Sequence, residues 1–229
     1  MSGFEKEKIK ACIFDAYGTL FNVHAPSMKL AEKIGDQAGS VSNIWRLKQL
    51  EYSWLRSLMG KYKPFWEITQ DALDYTLEYH GIDNSDLRQE LLDMYFSLDA
   101  YDDASTSLQR LKAAGMYTAI LSNGSPDMLD AAVSSSGLSP LLDDVLSADS
   151  VQVFKTDFRV YDLVNDRFGV EPEEVCFVSS NGWDAGGGAE YGFQVAWINR
   201  LDAPVEKMPS QPRALVSSLT QVVDLILST

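Results

Sequence analysis

The chain has 229 residues and a formal net charge of -14. That length supports one ordinary domain, or one domain carrying an insertion, with a sizeable buried core. The acidity argues against a nucleic-acid surface, because phosphate backbones need clustered Lys and Arg. It leaves an anionic small molecule only a local pocket of positive charge.

Residues 9–15 form the first predicted strand, a short apolar run that stops at Asp15 just before Gly18. Bulky apolar runs closed by Gly read as buried strands of a parallel sheet. Ligands sit beyond the carboxyl ends of such strands, so Asp15 stands where chemistry is expected. An Asp after a strand also caps turns, and this stretch alone does not decide between the two.

From His24 to about Leu98 the pattern is helical. Ser42 to Met59 carries a stripe at Leu47, Leu50, Trp54 and Leu58. Arg46 lies at its edge, one turn before Leu50, and can reach out from the packed face; the ordinary reading is a snorkelling side chain. A second helix opens at Pro64 and ends at Gly81, with Phe65 and Trp66 in its first turn. A third runs from Ser85 to about Leu98, with Leu87, Leu91, Leu92 and Tyr95 inward. No strand signal interrupts them, which predicts one helical insertion after the first strand.

From Tyr101 strands and helices alternate. A helix ends at Gly115, and strand Tyr117 to Leu121 runs into Ser122-Asn123-Gly124. Ser125-Pro126 start a helix that ends near Gly137. A short strand lies near Asp144 to Leu146, Lys155 follows in a loop, and a helix spans Asp157 to Phe168. Strand Val175 to Val178 ends in the cluster Ser179 to Asp184, and strand Gln194 to Ile198 in Asn199-Arg200. Ala203 to Pro212 reads as a proline-rich loop, and a last helix covers Ser217 to Leu227. This order predicts an α/β protein: a Rossmann-like parallel sheet core with helices on both faces and an inserted helical cap domain. The division is a core of residues 1–23 and 99–229 and a cap of residues 24–98.

Four predicted strands thus end in or just before polar groups: Asp15, Ser122-Asn123, Lys155 and Ser179 to Asp184. In a parallel sheet they meet at one edge. A buried carboxylate and a buried ammonium there would pair. Other motifs carry less. Gly186-Gly187-Gly188 invites a dinucleotide fingerprint, but Tyr191 stands where its last glycine belongs; the glycines let a helix lie close to the sheet. Ser122 is no nucleophile elbow, since Ile120 replaces the first glycine. His24 and His80 do not read as catalytic bases. Cys12 and Cys176 sit inside strands as small buried hydrophobes, without metal spacing or a disulfide framework. The charged N-terminus is unlike a signal peptide and no apolar run approaches a membrane span, so a cytoplasmic protein without membrane contact is expected.

The order Asp15-x-x-x-Thr19, Ser122-Asn123-Gly124, Lys155 and Ser179-Ser180-Asn181-x-Trp183-Asp184 resembles the haloacid dehalogenase superfamily. Within it the chain is similar to the L-2-haloacid dehalogenases. The matching stretches include Trp45-Arg46, Leu50-Glu51-Tyr52, Trp54 to Met59, Arg159-Val160-Tyr161 and Trp197 to Arg200, cap included. The resemblance implies hydrolysis of (S)-2-haloalkanoic acids to D-2-hydroxy acids and halide through an aspartyl ester.

Asp15 is then the carboxylate nucleophile, oriented and kept charged by Lys155, Thr19 and Ser122. By resemblance, Arg46 and Asn123 receive the halide; an arginine from the cap can stabilise charge that appears at the transition state. Ser122 and backbone N–H groups near Tyr17 hold the substrate carboxylate. Asp184, paired with Lys155 and flanked by Ser179 and Asn181, positions the hydrolytic water. Tyr17, Leu50, Phe65 and Trp183 wall the apolar part of the pocket, Ala16 and Leu47 border it, and Tyr161 supports Lys155 and the nucleophile. The bland alternatives are a helix cap for Asp184, a core tyrosine for Tyr161 and cap packing for Phe65.

No metal or other cofactor is expected. In the superfamily's phosphatases a second Asp protonates the leaving oxygen, and here Tyr17 takes that place; halide leaves without a proton. Magnesium needs several oxygen ligands, whereas the loop offers Asp184 beside neutral Asn181. The sequence departs from the family pattern at Ala16 (commonly Leu), Leu47 (Gln), Asn22 (Asp) and Thr156 (Pro). A ring-opening hydrolase of the azetidine-2-carboxylate type, a Mg²⁺-dependent phosphatase and a non-catalytic binding protein on the same fold are the competing readings. The family often dimerises through its helices, which leaves a homodimer open.

Overall fold

The computed structural model describes residues 3–228; Met1, Ser2 and Thr229, assigned above to the core, lie outside them. The strands are β1 (Ala11–Phe14), β2 (Tyr117–Ser122), β3 (Asp144–Ser147), β4 (Val175–Ser179), β5 (Gln194–Ile198) and β6 (Ala214–Val216). They form one sheet in the order β3-β2-β1-β4-β5-β6, parallel throughout. Every residue of β1, β4 and β5 is buried, which is why these stretches are apolar rather than alternating.

The helices are α1 (Ala25–Lys29), α2 (Ala31–Ile34), α3 (Ala38–Met59), α4 (Phe65–Tyr79), α5 (Ser85–Phe96), α6 (Ala104–Ala113), α7 (Pro126–Ser135), α8 (Phe158–Phe168), α9 (Gly182–Tyr191) and α10 (Leu219–Leu227). α1 to α5 follow β1 without an intervening strand and form the helical cap, with α3 and α4 packed along each other. α6 pairs with α10, while α8 and α9 pack together against the sheet.

The chain steps outward from β1 through β2 to β3, then returns to place β4 on β1's other flank. That reversal opens a crevice between β1 and β4 at their carboxyl ends. Phe14 is level with Val178, and the Asp15 N–H donates to the Val178 carbonyl at 2.9 Å. Asp15 and Ser179 therefore leave the sheet side by side.

Several boundaries differ from the sequence pattern. α3 starts at Ala38 rather than Ser42: no side chain caps its start, and buried Ala38 and Val41 hold the extra turn by packing. Pro64 stands just outside α4 as its cap residue. β6 is a three-residue edge strand whose pattern is too short to read. Caps account for other starts, with Asn84 accepting from Leu87 N–H, Asp157 from Arg159 N–H and Ser218 from Gln221 N–H.

Candidate active site

The turn after β1 aims Asp15 into the crevice. The Ala16 carbonyl accepts from the N–H groups of Thr19, Leu20 and Phe21 at 3.2, 2.9 and 3.0 Å. Gly18 closes the turn at φ +95°, a conformation side chains rarely adopt. Asp15 is 4% exposed. Its Oδ2 accepts from Thr19 Oγ1 at 3.0 Å and Asn181 Nδ2 at 2.8 Å, and its Oδ1 from Lys155 Nζ at 3.1 Å.

Lys155 lies between two carboxylates. Its ammonium, with the side chain wholly buried, also donates to Asp184 Oδ2 at 2.9 Å. The backbone is anchored from β2's end, where Asn123 Oδ1 accepts the Lys155 N–H at 2.9 Å. Burial opposes the Lys155 charge, but Asp15 and Asp184 outweigh it and hold its pKa above the ordinary lysine value.

Asp184 stands in the first turn of α9, yet it is no helix cap. Its Oδ2 accepts from Ser179 Oγ at 3.0 Å as well as from Lys155, and its Oδ1 from the Tyr161 hydroxyl at 2.8 Å. Burial pushes the Asp184 carboxyl above its ordinary value; Lys155 and Tyr161 pull it down, and Asp15 pushes it up. Burial, then Asp184, holds the Tyr161 hydroxyl well above the usual tyrosine range, so it remains a donor.

The cap contributes Arg46 from α3. Gln49, one turn on, takes Nη1 on its Oε1 at 2.6 Å. Nη2 reaches the Tyr17 carbonyl and Asn181 Oδ1, each at 3.3 Å. Gln49 is itself fixed by the Tyr95 hydroxyl and by Thr69. A cleft of about 260 Å³ runs past Arg46, Leu50, Asn181 and Trp183, with His24 on its wall. Trp183 meets Trp54 of the cap edge-on at 5.3 Å and separates this cleft from a groove of about 440 Å³ beside Lys155. A larger cavity, about 480 Å³ at the α4–α5 end, is lined by none of these groups. Tyr17 packs between Tyr95, Phe65 and Phe21 with its hydroxyl buried. His24 Nδ1 shares a 2.7 Å hydrogen bond with Ser42 Oγ; burial, then Arg46, lowers its pKa.

Some side chains stand elsewhere than the sequence suggests. Tyr161 bonds Asp184, not Lys155 or the nucleophile. Asn181 turns its amide to Asp15 rather than to Asp184. Ser122 Oγ accepts from the Gly124 N–H at 3.1 Å, because the turn's own backbone competes for it. Leu47 is 56% exposed and lines neither cleft; it lies about 100° around α3 from Arg46. Phe65 and Ala16 are buried, Phe65 against Phe154 as well as Tyr17. Gln49 escapes sequence reading, and so do the site contacts of Tyr95, read only as an inward residue, and of Ser180, whose N–H donates to Thr19 Oγ1 at 2.8 Å. A Gln one turn beyond an Arg on a packed face was the available signal for the first.

The donor set does not suit Mg²⁺. Among the described residues no three His, Cys, Asp or Glu side chains converge. The ammonium of Lys155 already bridges the two carboxylates, and Asn181 and Thr19 present N–H and O–H groups to the remaining Asp15 oxygen.

A carboxylate at a parallel-sheet switch point, held by a buried lysine and covered by inserted helices, marks a capped Rossmann-like protein with a carboxylate placed for attack on a bound small molecule. The family model of the haloacid dehalogenase-like hydrolases matches residues 9–192. The chain is 48% identical to (S)-2-haloacid dehalogenase 1 of Pseudomonas sp. (strain CBS-3) over 222 residues, 96% of this chain and 98% of that protein. It superposes at a TM-score of 0.95 and 43% identity on a dehalogenase crystal structure with an intermediate complex, covering 97% of this chain and 99% of the other. At 38% identity it superposes at 0.89 on the L-2-haloacid dehalogenase from Xanthobacter autotrophicus with chloropropionic acid covalently bound, covering 96% and 99%. The chain belongs to the haloacid dehalogenase-like hydrolases and, within them, to the (S)-2-haloacid dehalogenase family.

Proposed function

We propose that the protein hydrolyses (S)-2-haloalkanoic acids to D-2-hydroxy acids and halide through an ester on Asp15. The observation that carries this reading is the buried Asp15–Lys155–Asp184 chain, with Lys155 Nζ 3.1 and 2.9 Å from the two carboxylates. It supplies a carboxylate nucleophile paired with an ammonium and, beside it, a second carboxylate for water. The relatives' names support the haloacid over a strained ring or a phosphate ester.

In the first step Asp15 attacks the substrate's second carbon. The new C–O bond forms as the carbon–halogen bond breaks, and the halide leaves with the bonding pair. Oδ1 meets one donor and Oδ2 two, so Oδ1 has the freer lone pair. Arg46 and the Asn123 amide, whose oxygen is tied to Lys155 N–H, receive the charge that develops on the halide. Ser122 accepts from Gly124 N–H, which leaves its own proton for the substrate carboxylate. In the second step water adds to the ester carbonyl as Asp184 takes one of its protons. The bond from the carbonyl carbon to the substrate oxygen then breaks; that oxygen takes up one of the two water protons to give the hydroxy acid, the other goes to solvent, and the Asp15 carboxylate re-forms. Net, one water is consumed and one halide and one proton are released. Ser179 and Tyr161 orient Asp184, Thr19 and Asn181 orient Asp15, and Tyr17, Leu50, Phe65 and Trp183 surround the substrate's alkyl group. No metal enters either step.

The same reading divides the chain into a core of residues 1–23 and 99–229 and a cap of residues 24–98 that brings Arg46 to the site. It takes the protein to be cytoplasmic; no helix among the described residues is long and apolar enough to cross a membrane. Halide release measured separately with the two enantiomers of 2-chloropropionate tests the proposal. Release from the (S) enantiomer alone, with D-lactate formed, is expected; equal use of both enantiomers, or none of either, would contradict it.

A further inference from the structure

Gly186-Gly187-Gly188 form one turn of α9, and they face three different neighbours. A Cβ on Gly186 would meet Met208 Cβ and Cγ, in the loop between β5 and β6, at 2.6 Å, and one on Gly188 the Phe177 ring at 2.7 Å. A Cβ on Gly187 would lie 2.6 Å from the Tyr161 hydroxyl oxygen and 2.6 Å from the Thr156 methyl. That hydroxyl is the one that donates to Asp184 Oδ1.

Neither neighbour yields without disturbing a contact of the site. The Tyr161 side chain is wholly buried, its ring bounded by Phe177, Tyr191 and Phe193 with centroids at 5.9, 5.5 and 5.8 Å. Thr156 follows Lys155, which two carboxylates and the Asn123 side chain hold in place. Gly187 has no left-handed backbone angle, so its backbone conformation accepts alanine, the stronger helix former. Helix geometry therefore gives no reason for glycine here; the space over its Cα does.

We propose that Gly187 is a positioning residue for the second half-reaction: its missing side chain is the space through which the Tyr161 hydroxyl reaches Asp184. This rests on the dehalogenase reading and deepens it. Adding a methyl at Gly187 pushes the hydroxyl off Oδ1 and leaves Asp184 with Lys155 and Ser179. The groups facing Asp184 are then Lys155 from the loop after β3, Asp15 from the end of β1 and the displaced Tyr161 from α8. With the Tyr161 donor gone, the carboxyl shifts upward.

The experiment is rapid-quench mass spectrometry of the Asp15 adduct with (S)-2-chloropropionate, following its formation and its breakdown across pH. Gly187→Ala is expected to form the adduct at the wild-type rate. Breakdown should slow by about ten- to a hundredfold, the loss of one hydrogen bond to a charged group, and its acid limb should move to higher pH. Gly186→Ala, which meets Met208 of the loop between β5 and β6 and not Tyr161, should leave the ratio of the two rates and the acid limb of breakdown unchanged. In a Thr156→Ala background, which removes the methyl that also meets the new side chain, Tyr161→Phe/Gly187→Ala should be no slower in breakdown than Tyr161→Phe, because the two atoms nearest the added methyl are then absent. If Gly187→Ala does not fold in that background but Tyr161→Phe/Gly187→Ala does, the hydroxyl is the obstacle and the proposal stands. It is overturned if Gly187→Ala breaks down the adduct like wild type, if both steps slow equally, if the two substitutions add in that background, or if neither variant folds there. Failure of the wild-type protein to form any Asp15 adduct removes the dehalogenase reading itself, and this inference with it.

Discussion

Lys155 Nζ lies 3.1 Å from Asp15 Oδ1 in a site where the lysine side chain has no solvent contact. One ammonium thus serves the nucleophile and, at 2.9 Å, Asp184. Desolvating these groups is costly, and the mutual attraction repays it only while all are present.

Lys155→Met therefore leaves two carboxylates facing each other in the protein interior. Breaking a buried pair in this way costs about 3–5 kcal/mol. The deficit should be largest near neutral pH and shrink as the pH falls and the carboxylates protonate. In the wild-type protein the raised Lys155 pKa has the opposite consequence. Its contribution is fully present below the ordinary lysine pKa and is lost as the pH rises through the raised value. Urea unfolding of both proteins at neutral and acidic pH checks this; a deficit independent of pH would speak against the charge account.

Arg46→Ala should slow halide displacement about a hundredfold or more, the usual effect of removing a group that meets developing charge. Ester breakdown should be nearly unaffected. Gln49→Ala, which frees Nη1 of Arg46, should show a smaller loss in the same step. Single-turnover halide release separates the steps; near-normal release from Arg46→Ala would make the arginine a surface side chain.

Asp184→Asn should still form the Asp15 ester but let it accumulate. The wild-type carboxyl is raised by burial, so its base form is lost, and breakdown falls, at a higher pH than for a solvent-exposed aspartate. Tyr161→Phe removes a donor that lowers this pKa, and should move the acid limb further up. An unshifted limb in Tyr161→Phe would show that the hydroxyl does not act through Asp184.

Dialysis against a chelator should leave halide release unchanged, because Lys155 already occupies the position between the carboxylates. Loss of activity that added Mg²⁺ restores would contradict this.

The sheet and the ends of its strands are legible in the sequence because buried parallel strands are apolar from end to end and stop at polar residues. Asp15 and Asp184 follow such stops after β1 and β4, Lys155 lies in the loop beyond the half-buried β3, and the parallel topology brings all three to one edge. Partner choice is not legible. Tyr161 reads as buried, but its helix position does not say whether the hydroxyl meets Lys155 or Asp184. Asn181 and Ser122 are short polar groups beside several candidates, and local backbone N–H groups compete for them. Leu47 and Leu58 fit the apolar stripe of α3 by period, yet both turn outward, because the buried face runs through Val41, Trp45, Gln49 and Ser53 instead. The three-residue strand β6 and the four-residue helix α2 are shorter than any period can reveal.

The most direct test of the central claim follows oxygen. With enzyme in excess over (S)-2-chloropropionate, a single turnover is run in heavy-oxygen water, and the peptide carrying Asp15 is analysed by mass spectrometry. Attack by Asp15 predicts that the hydroxy acid carries an ordinary oxygen from the carboxylate, and that the heavy oxygen appears in Asp15. A labelled hydroxy acid with unlabelled Asp15 would mean that water attacks the substrate directly, and the ester mechanism would not operate in this protein.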